Sequence, residues 1–273
     1  MPVNTLMVEG SLDVALMTSV LSTLPGGAPV VEPGGSKGSL RPKVAEARKK
    51  GIIACYLRDR DFDTDPPTVC HAPIVDKKDQ TGTVLGWRWC RHEVESYLLE
   101  PALVEHATGW AEADFRAALL GASSSLVHYT AARWAVGTAR RALPPLYELG
   151  TRPDGLKNEI KLPADISDNA SRGWAIKHIG DFLAEVQRKL AQPQIVADYE
   201  AWSQRLTAVS NCTDALLFHG GKDLTAALEP HIVKRRPNNP ADFLKAIRDW
   251  VIANPGMALT LLPEWAALLP QLA

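Results

Sequence analysis

The chain has 273 residues, 46% of them hydrophobic and 22% charged, with a formal net charge of −1. This composition supports one large or two modest packed domains and excludes a disordered chain or a globally basic one. Contact with nucleic acid must then come from local clusters such as Arg48-Lys49-Lys50 or Lys234-Arg235-Arg236. The opening MPVNTLMVEG lacks a basic segment, and the apolar stretch from Met257 is interrupted by Pro263, Glu264 and Pro270, so neither a signal peptide nor a membrane span is expected. Four scattered cysteines, at 55, 70, 90 and 212, do not form the disulfide framework of a small secreted domain, and a cytoplasmic location is the expectation.

In chain order, the apolar run Leu6 to Val8 reads as a strand ending in Glu9-Gly10, and Ser11 to Leu24 as a helix stopped by Pro25-Gly26-Gly27. A strand at Ala28 to Val31 leads into the glycine loop GGSKGS and a basic helix from Leu40 to Lys50. Ile52 to Leu57 is the next buried strand, running into the acidic loop RDRDFDTDPP, and Val84 to Trp89 is a further strand leading into a helix over HEVESYLL. Strands alternating with helices predict right-handed βαβ units, hence an α/β domain with a mainly parallel, Rossmann-like sheet flanked by helices. After Pro101 the pattern becomes helical, with expected helices over Ala111 to Leu120, Leu126 to Ala142, Asn169 to Leu190, Ile195 to Val209 and Asp242 to Asn254. Pro144-Pro145, Pro153 and Pro163 break the chain between them. The boundary is placed at residue 99, dividing the chain into segments 1–99 and 100–273.

In open parallel sheets, ligands gather beyond the carboxyl ends of the strands, and both acidic clusters follow an apolar strand directly. Glu9 and the Asp59 group are therefore expected to converge. Clustered carboxylates suit hard cations such as Mg²⁺ or Mn²⁺, which neutralise charge on a phosphodiester and activate water. Alternate aspartates on an extended segment point to the same side, so Asp59 and Asp61 are expected to share one metal site, with Asp63 close enough to complete a shell or bind through water. A solvated acidic turn is the plainer reading of that cluster. Gly34, Gly35 and Lys37 either hold phosphate at a helix start or serve a purely steric strand-to-helix connection. Glu93 is equally a carboxylate favoured by a helix N-terminus, and Lys222 equally a surface loop lysine. Cys70-His71 and Cys90-x-His92 lack the usual C-x₂₋₄-C ligand spacing, which argues against zinc. Trp87, Trp89, Trp134 and Trp174 either stack bases or, as is commoner, pack the core.

The order VEGSLDVALM, glycine loop, LRDRDFD resembles the Toprim domain shared by topoisomerases, primases and OLD-type nucleases. RWCRHEVESYLLEP is similar to the segment after the Asp motif in the OLD-like branch, and FHGGKDL to that branch's late Gly-Lys motif. The resemblance implies that segment 1–99 is a Toprim catalytic domain, completed by Lys222 from a helical region that also mediates dimer or partner contacts. It implies Glu9 as acid/base or metal-bridging carboxylate, Asp13 as an additional ligand, Asp59 and Asp61 as core ligands, and Glu95 ahead of Glu93 at a second site, with Lys222 beside the scissile phosphate. The expected activity is Mg²⁺- or Mn²⁺-dependent endonucleolytic cleavage of DNA or RNA, including tRNA. No G-x-x-x-x-G-K-[ST] occurs, so an ATPase of the ABC/AAA type would be a separate partner encoded nearby. The resemblance extends to toxin-like effectors of phage-defence systems, and a homodimer is expected. The alternatives are a catalytically silent Toprim module that binds nucleic acid or regulates an ATPase, and another α/β phosphotransfer or hydrolytic enzyme acting on nucleotides.

Overall fold

A computed structural model describes residues 2–145, 165, 167–235 and 237–273. The elements follow the order β1 (Thr5–Val8), α1 (Ser11–Leu21), β2 (Val30–Pro33), α2 (Lys37–Lys49), β3 (Ala54–Arg58), β4 (Ile74–Lys78) and β5 (Val84–Arg88). Helices α3 (Glu95–Leu98), α4 (Pro101–Thr108), α5 (Glu112–Ser125), α6 (Val127–Ala142), α7 (Asp168–Lys189) and α8 (Gln192–Thr207) come next. The chain ends with α9 (Cys212–Phe218), α10 (Gly221–Ala227), α11 (Glu229–Ile232), α12 (Pro240–Ala253), α13 (Pro255–Leu261) and α14 (Pro263–Leu272). Pro153 and Pro163, expected as chain breaks, lie outside the described residues, as does Arg236.

The sheet has the order β2-β1-β3-β5-β4, parallel throughout except for the antiparallel edge strand β4. Period-two alternation divides β1 between two cores: Leu6 and Val8 pack with α1, α12 and α14, whereas Met7 packs with Leu40 and Val44 of α2. Helices thus cover both faces. The chain passes from β1 outward to β2 and then crosses back to β3 on the other side of β1. This strand-order reversal puts a crevice between the carboxyl ends of β1 and β3, where ligands collect in doubly wound sheets.

The expected mainly parallel α/β sheet is observed, with several differences from the sequence reading. Edge strand β4 has no expected counterpart, because its residues IVDKK alternate weakly. It is held by Asp76, which accepts hydrogen bonds from Arg58 at 2.9 and 3.0 Å, Tyr56 Oη at 2.7 Å and Arg88 at 3.2 Å. The helix over HEVESYLL shrinks to the four residues of α3, because residues 89–94 are used to knit loops together: Trp89 donates to Arg58 O and Val94 to Asp59 Oδ1. The chain does not divide at residue 99. Its compact units are Met1–Thr130 with Arg205–Ala273, and Ala131–Gln204. The physical reason lies in the core, where Trp87 and Trp89 of the sheet region share one apolar cluster with Ile247, Val251, Trp265 and Leu268 from the end of the chain.

Within the second unit, Trp134 is fully buried and stacks on Trp202 with ring centroids 4.3 Å apart. Trp87, Trp89 and Trp134 are therefore core residues, and Trp174 stacks on His178 at 5.3 Å. Arg48 is likewise structural: it donates to Ala54 O at 2.8 Å and Val84 O at 2.6 Å, fastening α2 to the sheet. Among the described residues no helix is long and apolar enough to cross a membrane.

Candidate metal and phosphate site

The crevice between β1 and β3 holds a cavity of about 410 Å³ lined by Glu9, Asp13, Gly35, Ser36, Asp59, Glu95 and Lys222, with Gly10, Ser11 and Leu12 completing the wall. Four carboxylates from three separate stretches of sequence thus face one space. Glu9 leaves the end of β1, and its Oε1 accepts the Asp59 N–H at 2.9 Å, so the two strand ends are directly joined. Asp13, in the first turn of α1, reaches back to the Gly10 N–H at 3.2 Å, which fixes its carboxyl over the helix start. Asp59 Oδ1 accepts the Val94 N–H at 3.1 Å, connecting the Asp loop to the segment that carries Glu93 and Glu95.

These acids are partly or largely buried and feel one another's charge. Burial pushes the Asp13 carboxyl up to about 6, with the nearby Glu95 charge adding to the effect. Burial also raises Glu9, against the Asp59 N–H that lowers it. Asp59 is held well above the usual carboxylate range by burial first, then by repulsion from Asp13, Glu9, Asp61 and Glu95. One oxygen of Glu95, Oε2, is buried without a hydrogen-bond partner. Mutually repelling carboxylates with an orphaned oxygen are the kind of donor that suits a hard cation, and the group near them whose ligand-capable atoms all lie within 4.8 Å of one another is Asp61, His92 and Glu93.

This arrangement has a measurable consequence. The folded-state pKa of Asp13 is raised from 3.8 to about 6. Its contribution to stability is thus complete below about pH 4 and lost as pH rises through about 6, by on the order of 3 kcal/mol. Urea unfolding of the metal-free protein should show wild type losing stability relative to Asp13→Asn between those pH values, and added Mg²⁺ should suppress the loss. A difference independent of pH, or one of opposite sign, would refute this electrostatic account.

Lys222 enters from the other end of the chain. Its Nζ lies 2.7 Å from Glu93 Oε2 and 2.8 Å from Glu95 Oε1, and its N–H donates to Glu93 Oε1 at 2.8 Å. Burial works against its charge, but the two carboxylates more than compensate and hold the ammonium firmly protonated. Glu93 and Glu95 share this lysine, and of the two only Glu95 lines the cavity. The approach depends on Gly221, where a Cβ would lie 2.3 Å from Ser96 N and 2.5 Å from Glu95 C.

The expected common side for Asp59 and Asp61 is not observed. β3 ends at Arg58, and Asp61 adopts a left-handed backbone with φ 46°, so the alternation of an extended chain is broken between them. Asp61 turns to the ammonium of Lys37, which also lies 3.0 Å from Asp63. Asp63 is further drawn to Arg58 at 3.3 Å. Asp61 instead joins His92 and Glu93, with ligand-capable atoms within 4.8 Å of one another, beside the main cavity. Lys37 is therefore a partner of the Asp loop, and Gly34 is used sterically, its N–H donating to Val8 O at 2.7 Å. Gly35, in a left-handed conformation at φ 82°, and Ser36 do line the cavity at the start of α2.

Two supporting residues escaped the sequence reading. Arg60 is completely buried and donates to Cys90 O at 2.7 Å and Leu217 O at 2.5 Å, tying the Asp loop to the helix preceding the Gly-Lys motif. Burial lowers its pKa to about 10. His219, also completely buried, bonds Ser123 Oγ at 2.9 Å through Nε2 and Thr130 Oγ1 at 2.8 Å through Nδ1, and burial depresses its pKa to about 4. It anchors the chain just ahead of Lys222. An alternating Arg-Asp loop and a His-Gly-Gly turn look solvated in sequence, so neither role is visible there. Compared with known proteins, the chain matches no family model and no curated sequence.

Proposed function

We propose that this protein is a divalent-metal-dependent nuclease of the Toprim type, related to the OLD-like branch, that cleaves phosphodiester bonds in DNA or RNA, tRNA included. The observation that carries the reading is the convergence of Glu9, Asp13, Asp59 and Glu95 on one cavity at the strand-order reversal, with the Lys222 ammonium on its rim. Glu9, Asp13, Asp59 and Glu95 would hold Mg²⁺ or Mn²⁺, with Asp61 and Glu93 beside them. When bound, the metal supplies charge neutralisation at the phosphate and a water of lowered pKa. Glu9 would orient or deprotonate water, a role supported by its Oε1 accepting the Asp59 N–H while the side chain borders the cavity. Lys222 holds a permanent positive charge at the same edge, suited to an anionic phosphate or leaving oxygen.

The chain carries no nucleotide-binding P-loop, so the proposal extends to an antiviral-defence effector controlled by a separate ATPase of the ABC/AAA type. A homodimer is part of it, supported by the exposed stripe Ile176, Ile179 and Leu183 at helical spacing on α7. The second reading is a catalytically silent module that binds nucleic acid or regulates the ATPase. It is favoured by one observation: Lys222 pairs with both Glu93 and Glu95 and so occupies acids the metal would use.

The deciding experiment is cleavage of supercoiled DNA, linear DNA and total tRNA with Mg²⁺ or Mn²⁺, with and without an ATPase encoded next door, comparing wild type with Glu9→Gln. Cleavage that disappears in the variant is expected. Absence of cleavage under every condition would replace the nuclease with the silent module. For Lys222→Ala, turnover should fall about 10²-fold with nucleic-acid affinity little changed. Unchanged turnover with a lowered melting temperature would make the lysine structural.

A further inference from the structure

A second cluster of ligand-capable side chains lies apart from the cavity described above. Cys70 follows the acidic loop, Cys90 follows β5, and Glu264 stands in the first turn of α14, almost two hundred residues from Cys70 in sequence. Their sulfur and oxygen atoms all lie within 4.8 Å of one another, and Cys70 Sγ is 3.3 Å from Glu264 Oε2. Zinc with sulfur at about 2.3 Å and oxygen at about 2.0 Å in a tetrahedron sets neighbouring ligand atoms roughly 3.5–3.8 Å apart, so the cluster is already close to that geometry. A cavity of about 100 Å³ opens onto it, lined by Cys70, Glu264 and the exposed His71.

We propose that Cys70, Cys90 and Glu264 form a structural zinc site, with the His71 imidazole as fourth ligand after a side-chain rotation. Two sulfurs select a soft or borderline ion such as Zn²⁺ over the hard Mg²⁺ suited to the all-carboxylate cavity. The surrounding hydrogen bonds fit a metal-binding carboxylate: Glu264 Oε1 accepts the Cys90 N–H at 2.8 Å, and Oε2 accepts the Tyr97 hydroxyl, so its orientation is set in advance. Binding converts both thiols to thiolates and releases their two protons to solvent, with no change of oxidation state.

Close C-x₂₋₄-C spacing is needed only where a pair of ligands comes from one short stretch of sequence. Here α14 supplies a ligand that no local motif contains. The consequence is a clasp holding three segments together: the loop after β3, the segment that leads to Glu93 and Glu95, and the last helix. The site shares no lining residue with the acidic cavity and does not depend on the nuclease reading.

The test uses the full chain, stripped with a chelator, kept reduced and titrated with Co²⁺. A thiolate-to-cobalt charge-transfer band should saturate at a single equivalent, be erased by Zn²⁺ but not by Mg²⁺, persist in Glu9→Gln and disappear in Cys90→Ser. Absence of the band in wild type, or its survival in both Cys70→Ser and Cys90→Ser, would overturn the proposal. Should the serine variants fail to fold, alkylation of the wild type decides: Zn²⁺ should protect Cys70 and Cys90 from a maleimide, and equal labelling with and without Zn²⁺ would reject the site.

Discussion

Asp59→Asn is expected to lower the proposed metal-dependent cleavage by about 10³-fold and, at the same time, to raise the melting temperature of the metal-free protein. The two effects have one origin. Asp59 is pushed well above the ordinary carboxylate range by burial and by repulsion from Asp13, Glu9, Asp61 and Glu95, so its charge opposes folding unless a cation balances it. Asparagine keeps the oxygen that accepts the Val94 N–H at 3.1 Å, leaving the link between the two loops in place while removing the charge. Added Mg²⁺ should therefore stabilise wild type much more than the variant. Thermal melting with and without Mg²⁺, run beside the cleavage assay, checks both halves. A variant that melts lower and retains activity would show that Asp59 is only a hydrogen-bond acceptor.

The second large effect is expected at a residue with no chemistry of its own. Gly221→Ala should cost about 2–3 kcal/mol of stability and should reduce cleavage more than Lys222→Ala does. The added methyl would meet backbone, at 2.3 Å from Ser96 N and 2.5 Å from Glu95 C, with the Glu95 Cβ at 2.9 Å. No side-chain rotation relieves such a contact, so α10 and α3 must move apart. Lys222, Glu93 and Glu95 would then lose the 2.7 and 2.8 Å ion pairs that register them. Denaturant unfolding and single-turnover cleavage at saturating Mg²⁺ measure the two consequences separately. Normal stability with normal turnover would mean that the close approach does not position the lysine. By comparison, alanine at exposed Gly173, where nothing lies within 4 Å, should change neither activity nor the position of the Lys222 ion pairs.

Local patterning was enough to establish the parallel sheet and the meeting of Glu9 with Asp59. Short apolar runs ending in acids, separated by helical periodicity, predict strands whose carboxyl ends line one edge, and β1 and β3 are adjacent parallel strands. Several helix positions were legible for the same reason, as with α7 at Asp168–Lys189 against an expected Asn169 to Leu190. Resemblance, not periodicity, directed attention to Glu95 and Lys222.

Other features depended on contacts between distant parts of the chain. Alternation along LRDRDFD predicts one face for Asp59 and Asp61, yet Asp61 takes a left-handed φ of 46° and leaves for Lys37, because interactions from α2 outweigh the local extended preference. Arg60 looks like a surface charge between two aspartates, but it is fully buried by carbonyl acceptors at Cys90 and Leu217 that no window around it contains. The composition shift near residue 99 suggested a boundary, whereas the shared core with α12 and α14 makes the last helices part of the sheet domain. Sequence determines what repeats over a few residues: strand, helix and the acid at each strand's end. Which acids face one cavity, which are neutralised by lysine and which cysteines meet a glutamate from the last helix are decided by packing across the whole chain, since burial and charge balance act between residues that only folding brings together.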